Sequence, residues 1–183
     1  MLDTAFVNRV NELSEQTIQL CYHCHKCTSG CPVADEMTYG PDRVLRLVQF
    51  GLKEELLTSH DIWVCASCET CGTRCPNEID IARVMDALRQ VAVAEGAAIA
   101  EPDSIKFHRV FLSLLSRMGR MHEASMMGLY LVWTLGFMDY TSTATKMLVK
   151  GKIPLIPRRI KGHRDVRRIF EATKGPDSVL EDS

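Results

Sequence analysis

Several signatures of a self-sufficient enzyme are missing from this 183-residue sequence. No G-x-G-x-x-G fingerprint is present for a flavin or nicotinamide cofactor, and no Gly-rich loop ending in Gly-Lys-Ser/Thr for a nucleotide phosphate. No stretch alternates apolar and polar residues as a half-buried strand would, which argues against a sheet. The longest apolar stretch, Ala124–Met138, has 15 residues, short of the ~20 that span a bilayer. Asp3 interrupts the start and no apolar leader core follows, so the expected location is the cytoplasm. A formal net charge of −1 gives no overall attraction to nucleic acid or to an anionic membrane surface.

Charge is unevenly distributed. Residues 1–60 carry five Lys or Arg against eight Asp or Glu, whereas residues 151–174 carry eight against two. The second segment reads as a solvated basic tail or as a docking strip for an acidic partner, with Arg158–Arg168 at its centre.

The apolar pattern is helical. Phe6, Val10, Leu13 and Leu20 predict a helix over 4–20, capped by Asp3 or Thr4. Gly40-Pro41-Asp42 opens a second, with Val44, Leu47, Val48 and Leu52 as its stripe. Ile81, Val84, Met85, Leu88, Val91 and Ala92 predict a third from about Glu78 to Glu95, with Asn77 as N-cap and Gly96 as its stop. A linker at 97–103 leads to a fourth over 104–122, carrying Phe107, Val110, Phe111, Leu114, Met118 and Met121. Residues 124–138 continue as a helix apolar almost all round, which must be covered by this chain or by a partner. The Met residues at 118, 121, 126 and 127 read as core or interface. From Gly151 the tail, with three prolines, reads as irregular. The expected domains are 1–98, a helical extension at 99–150 and a basic tail at 151–183.

Eight cysteines fall in two matching blocks, 44 residues apart, each followed by an amphipathic helix. The first is Cys21-x2-Cys24-x2-Cys27-x3-Cys31-Pro32, the second Cys65-x2-Cys68-x2-Cys71-x3-Cys75-Pro76. Both match the bacterial-type ferredoxin run, in which the fourth Cys ligates the other cluster. That motif assigns Cys21, Cys24, Cys27 and Cys75 to one [4Fe–4S] cluster and Cys65, Cys68, Cys71 and Cys31 to a second, leaving no thiol over. Structural zinc is the competing reading, but a zinc knuckle does not require the third Cys, the fourth or the proline. Disulfides are disfavoured in a reducing compartment. His23 and His25, inside the first block, read as exposed loop residues, with tuning of a cluster through an N–H bond to sulfur as the alternative. The remaining histidines, His60, His108, His122 and His163, are scattered.

The blocks CYHCHKCTSGCP and CASCETCGTRCP, with Tyr39-Gly40-Pro41 and a helix between them, resemble the C-type iron–sulfur subunit of heterodisulfide reductase over about residues 15–95. A similar helical ferredoxin module occurs in succinate dehydrogenase and fumarate reductase iron–sulfur subunits and in the C-type subunit of anaerobic glycerol-3-phosphate dehydrogenase. The first kind carries an additional plant-type ferredoxin domain and the last long Cys-Cys-Gly domains. This chain has no Cys-Cys pair, so the soluble C-type subunit of heterodisulfide reductase is the better match.

The resemblance implies a mostly α fold: an α-helical ferredoxin domain with two cubane-binding loops and a helical C-terminal extension. It also implies an electron relay, through which a flavin-containing A-type subunit gives electrons to a disulfide-reducing B-type subunit, and no active site in this chain. Two other functions remain open at this point. One is a relay for another Cys-Cys-Gly-type reductase or dehydrogenase. The other is a metal-stabilised interaction protein that transfers no electrons.

Overall fold

The computed structural model describes residues 3–134, 146–147, 150 and 159–173. Every regular element among them is helical, and the chain divides into two compact units, Met1–Glu101 and Pro102–Ser183.

The first unit opens with α1 (Thr4–Ser14), capped by Asp3, whose Oδ1 accepts the Phe6 N–H at 3.0 Å. Phe6, Val7 and Val10 form its buried side. The helix stops well short of residue 20. Glu15 turns left-handed (φ 55°), and Asn11 Oδ1 accepts the Ile18 N–H at 3.2 Å, which redirects the chain. Ile18 is then fully buried, while Leu20, in phase with the apolar stripe, is 57% exposed.

Helix α2 (Gly40–Gln49) has Pro41 in its first turn and buries Val44, Leu45 and Val48. Leu52 lies beyond its end and is exposed. The start of α2 is capped from elsewhere in the unit: Asp61 Oδ1 accepts the N–H groups of Tyr39 and Gly40 at 2.7 and 3.0 Å. Three short helices follow, α3 (Lys53–Leu57), α4 (Asp61–Val64) and α5 (Thr70–Arg74), all too short to show a period in the sequence. Helix α6 (Ile81–Ala94) buries all six residues of the expected stripe. It begins three residues later than expected, because Asp80 rather than Asn77 is its N-cap, accepting the Arg83 N–H. Gly96 follows in the left-handed region at φ 63°, as a residue past a helix end commonly does.

The core of this unit gathers apolar side chains from α1, α2, α3, α4 and α6, and it includes two of the cysteines, Cys27 and Cys71. Ile18 and Ile62, each three residues before a cysteine block, are both fully buried, so the repeat extends into the core.

In the second unit, α7 (Pro102–Met118) and α8 (Glu123–Thr134) pack through Val110, Leu114, Met118 and Met126. Phe107, on the expected stripe, is 43% exposed. The part of the apolar segment beyond residue 134 lies outside the described residues, as does the whole of 151–158. The tail is not irregular throughout: His163–Ala172 forms α9, which packs against α7. Val166 and Phe170, one turn apart, are its half-buried side, and Arg164, Arg167 and Arg168 are exposed. The prolines that suggested an irregular tail all lie outside this helix.

Candidate metal-binding site

The two cysteine blocks have the same backbone shape. In each, the residues flanking the second cysteine are left-handed: His23 and His25 (φ 57° and 61°) in the first, Ser67 and Glu69 (φ 49° and 59°) in the second. None is glycine, and a left-handed non-glycine residue costs roughly 1–2 kcal/mol. Paying that cost four times at matching positions is a mark of function rather than of chance. Left-handed turns of this kind aim successive backbone N–H groups into one concavity, which favours a negatively charged guest such as a thiolate-bound metal cluster.

Burial repeats as well. Cys24 and Cys68 are exposed, Cys27 and Cys71 are buried, and the first and last thiols of each block are intermediate. Cys31, Cys65, Cys68 and Cys71 line one cavity, walled by Val33, Met37, Pro41, Ile81 and Met85. The last cysteine of the first block thus joins the first three of the second. Cys75 is in turn an electrostatic neighbour of Cys21, and so are Cys24 and Cys27. Partial burial, then the charge and hydrogen bond of Cys24 and the charges of Cys75 and Cys21, raise the phenol of Tyr22, so its hydroxyl is near all three thiols.

Asn77 explains how Cys75 comes to the first block. Its amide donates to the carbonyl of Leu20, the residue before Cys21, and so pins the Cys75-Pro76-Asn77 turn there. At the centre, Gly30 and Arg74 are equivalent positions of the repeat and face each other. A Cβ on Gly30 would stand 2.6 Å from Arg74 side-chain atoms, so a side chain there would make the exposed arginine move.

Each block is also held by one long side chain from the helix after it. Gln49 Nε2 donates to the carbonyls of Ile18 and Cys21, at 2.9 and 3.2 Å, and Oε1 meets His23 Nε2 at 2.8 Å. Arg89 makes the corresponding bonds in the second block: Nε to the Ile62 carbonyl at 2.6 Å, Nη2 to the Cys65 carbonyl, and Nη1 to Ser67 Oγ at 3.4 Å. Neither was evident in the sequence, since each bond joins residues 22 to 31 apart and no motif marks them.

The first-block histidines are more than exposed loop residues. His23 is half-buried, with Nδ1 4.0 Å from Cys21 Sγ. His25 is exposed, but its Nδ1 lies 2.8 Å from the Asp42 carboxylate. Asp42 is buried and also accepts from Thr28 Oγ1.

Burial pushes the Cys71 thiol up to about 11 and raises Cys21 and Cys27, whereas hydrogen bonding from Thr70 lowers Cys68. A metal must therefore displace protons from the buried thiols. Among the described residues no three His, Cys, Asp or Glu side chains converge as a single metal ion would require. An all-sulfur donor set spread round a cavity with an apolar wall fits an iron–sulfur cluster in the softness of its ligands.

Residues 20–80 match the family described as the 4Fe-4S dicluster domain, so the helical first unit carries a domain of that class. More particularly, the chain is 37% identical over 106 residues to the iron-sulfur subunit (C 2) of the CoB–CoM heterodisulfide reductase of Methanocaldococcus jannaschii, covering 52% of this chain and 56% of the relative. It is 32% identical over 103 residues to the iron-sulfur subunit (C) of the enzyme from Methanopyrus kandleri (52% and 54%). The corresponding C-type subunit of the ferredoxin/F420H2-dependent CoB–CoM heterodisulfide reductase of Methanosarcina acetivorans is 35% identical over 81 residues (44% and 50%). The chain spans about half the length of the curated relatives it matches. No helix among the described residues is long and apolar enough to cross a membrane.

Proposed function

We propose that this chain is the electron-relay subunit of a heterodisulfide-reductase-type complex. It holds one [4Fe–4S] cluster on Cys21, Cys24, Cys27 and Cys75 and another on Cys65, Cys68, Cys71 and Cys31. When bound, the clusters supply one-electron carriage. The protein supplies the thiolates, the left-handed loops and the two side-chain clamps that keep each loop in shape.

The observation that carries this reading is the cavity in which Cys31 joins Cys65, Cys68 and Cys71. The similarity to named iron-sulfur subunits of heterodisulfide reductase supports a place in a multi-subunit complex; in this reading the relay lies downstream of a flavin-containing subunit, with a disulfide-reducing subunit beyond it. Two surfaces of the second unit suit contacts with such partners. One is α8, where Met127, Leu129 and Val132 are exposed; the other is the basic side of α9.

The test is a complex reconstituted with Cys68→Ser and assayed twice. Overall disulfide reduction should be lost while reduction of the flavin subunit persists, and the isolated chain should reduce no disulfide. A fully assembled Cys68→Ser complex that lacks the cluster and works at the normal rate would remove this chain from the electron path.

A further inference from the structure

Gln49 and Arg89 do the same mechanical task on equivalent loops, but one is neutral and the other is a permanent cation. The Arg89 side chain is only 17% exposed, and its guanidinium touches the carbonyl of a proposed ligand residue, Cys65. The first block has an opposite feature. Asp42, 4% exposed, lies beside it, and its charge weighs on both Cys21 and Cys27.

We propose that Arg89 and Asp42 make the two sites electrically unequal, so that the cluster on the second block accepts an electron at the higher potential. This rests on the reading that both blocks hold [4Fe–4S] clusters. An added electron is stabilised by a nearby cation and opposed by a nearby anion, and both effects are strongest where water is excluded. The other charges nearby do not reverse the order. Asp86, the partner of Arg89, is about half exposed, and Glu69 is exposed, so water screens both. Asp61 is also buried, and its Oδ1 faces the N–H groups of Tyr39 and Gly40 at the start of α2, the helix that carries Asp42, so the Gln49–Arg89 contrast decides the order. Arg74, against Gly30, is exposed, so water screens it as well. His25, when protonated, offsets Asp42, but it is exposed and leaves the Gln49–Arg89 contrast in place. The consequence is direction. One electron passes from the reduced level of the first site to the oxidised level of the second, with no bond made and no proton moved. The second block is thus the acceptor end of the relay.

The experiment is an anaerobic redox titration of the loaded chain, followed by electron paramagnetic resonance, after iron and sulfide have been counted. Wild type should show two separated couples, and the higher should be the one altered or lost in Cys68→Ser. Arg89→Gln, which copies the neutral clamp of the first block, should weaken electron uptake at that couple at least tenfold, or 59 mV for one electron. Arg89→Lys keeps the charge and should retain most of the potential. A Cys68→Ser chain that alters the lower couple overturns the proposal. So does a fully loaded Arg89→Gln chain with an unmoved couple, or an Arg89→Lys chain that falls as far as Arg89→Gln. If Arg89→Gln fails to load, Asp42→Asn decides: it should raise the lower couple and narrow the gap, and an unchanged gap overturns the idea. Fewer than two clusters in wild type would be seen in the iron and sulfide count, before any potential is measured, and would overturn both this proposal and the functional reading beneath it.

Discussion

The first and second cysteine blocks share their thiol spacing, their burial order and their left-handed turns, yet the helices behind them treat them differently. The first is held by Gln49 with a buried carboxylate alongside; the second is held by Arg89. Duplicated backbone geometry answers the demands of the guest, which are the same at both sites. The supporting side chains are free to differ, because any long donor from the following helix can reach the two loop carbonyls. Geometry is therefore where the repeat is strict, and charge is where it has diverged.

The strongest break of this comparison is at the core thiols. Cys27→Ala and Cys71→Ala should each abolish the cluster of their own block and leave the other signal, because each thiol is a core residue as well as a proposed ligand. Visible absorption together with paramagnetic resonance would register it, and loss of both signals from either variant would count against independent sites. Next in size is the centre of the repeat. Gly30→Arg should destabilise the loaded chain by up to about 1 kcal/mol, because the exposed Arg74 side chain must move aside. The companion Arg74→Gly should restore part of that loss in the double variant, as a urea unfolding series would reveal. A double variant no better than the single would show that the two positions do not compete for space.

Smaller effects sharpen the backbone half of the comparison. Glu69→Gly relieves a left-handed residue and should stabilise by up to about 1 kcal/mol, whereas Glu69→Val should destabilise. Equal midpoints for the two would leave the strain argument without support. Asn77→Ala should make only the first cluster labile to chelator, since Asn77 anchors Cys75 beside Leu20. The smallest effect is on protons. Because burial raises Cys21, Cys27 and Cys71, cluster assembly must release protons and should be favoured as pH rises from 7 to 9. In the cluster-free chain the sign is opposite: the raised Cys71 thiol contributes stability that is complete below 9.0 and is lost as pH climbs through about 11. Weakly buffered assembly with a pH electrode checks the first statement, and denaturation of the iron-free, reduced chain at two pH values checks the second.

How much of the fold and site was legible in the sequence depends on range. The thiol spacing and the α6 stripe are local patterns, and local patterns carry their own evidence: Ile81, Val84, Met85, Leu88, Val91 and Ala92 are buried as their period requires. The end of α1 was misread because Leu20 continues the period, while the actual stop is a backbone turn at Glu15 joined to a side-chain bond from Asn11. Asn77 looked like a helix cap because Asn usually favours that position, but its amide reaches a carbonyl 57 residues away. Gln49 and Arg89 were invisible for the same reason, since a clamp is defined by what the folded chain brings to it. Helix α9 was missed because few of its residues are apolar and Ile169 points to solvent.

The central claim is crossed ligation of two clusters, and the most direct measurement is paramagnetic resonance of Cys31→Ser set beside Cys24→Ser and Cys68→Ser, each reduced anaerobically after its iron is counted. Wild type should hold roughly eight iron and eight sulfide per chain, as two cubanes require. The spectrum of Cys31→Ser should match the damage seen in Cys68→Ser and leave intact the signal that Cys24→Ser removes. If Cys31→Ser instead removes the same signal as Cys24→Ser, each block holds its own fourth ligand and the crossed arrangement is wrong.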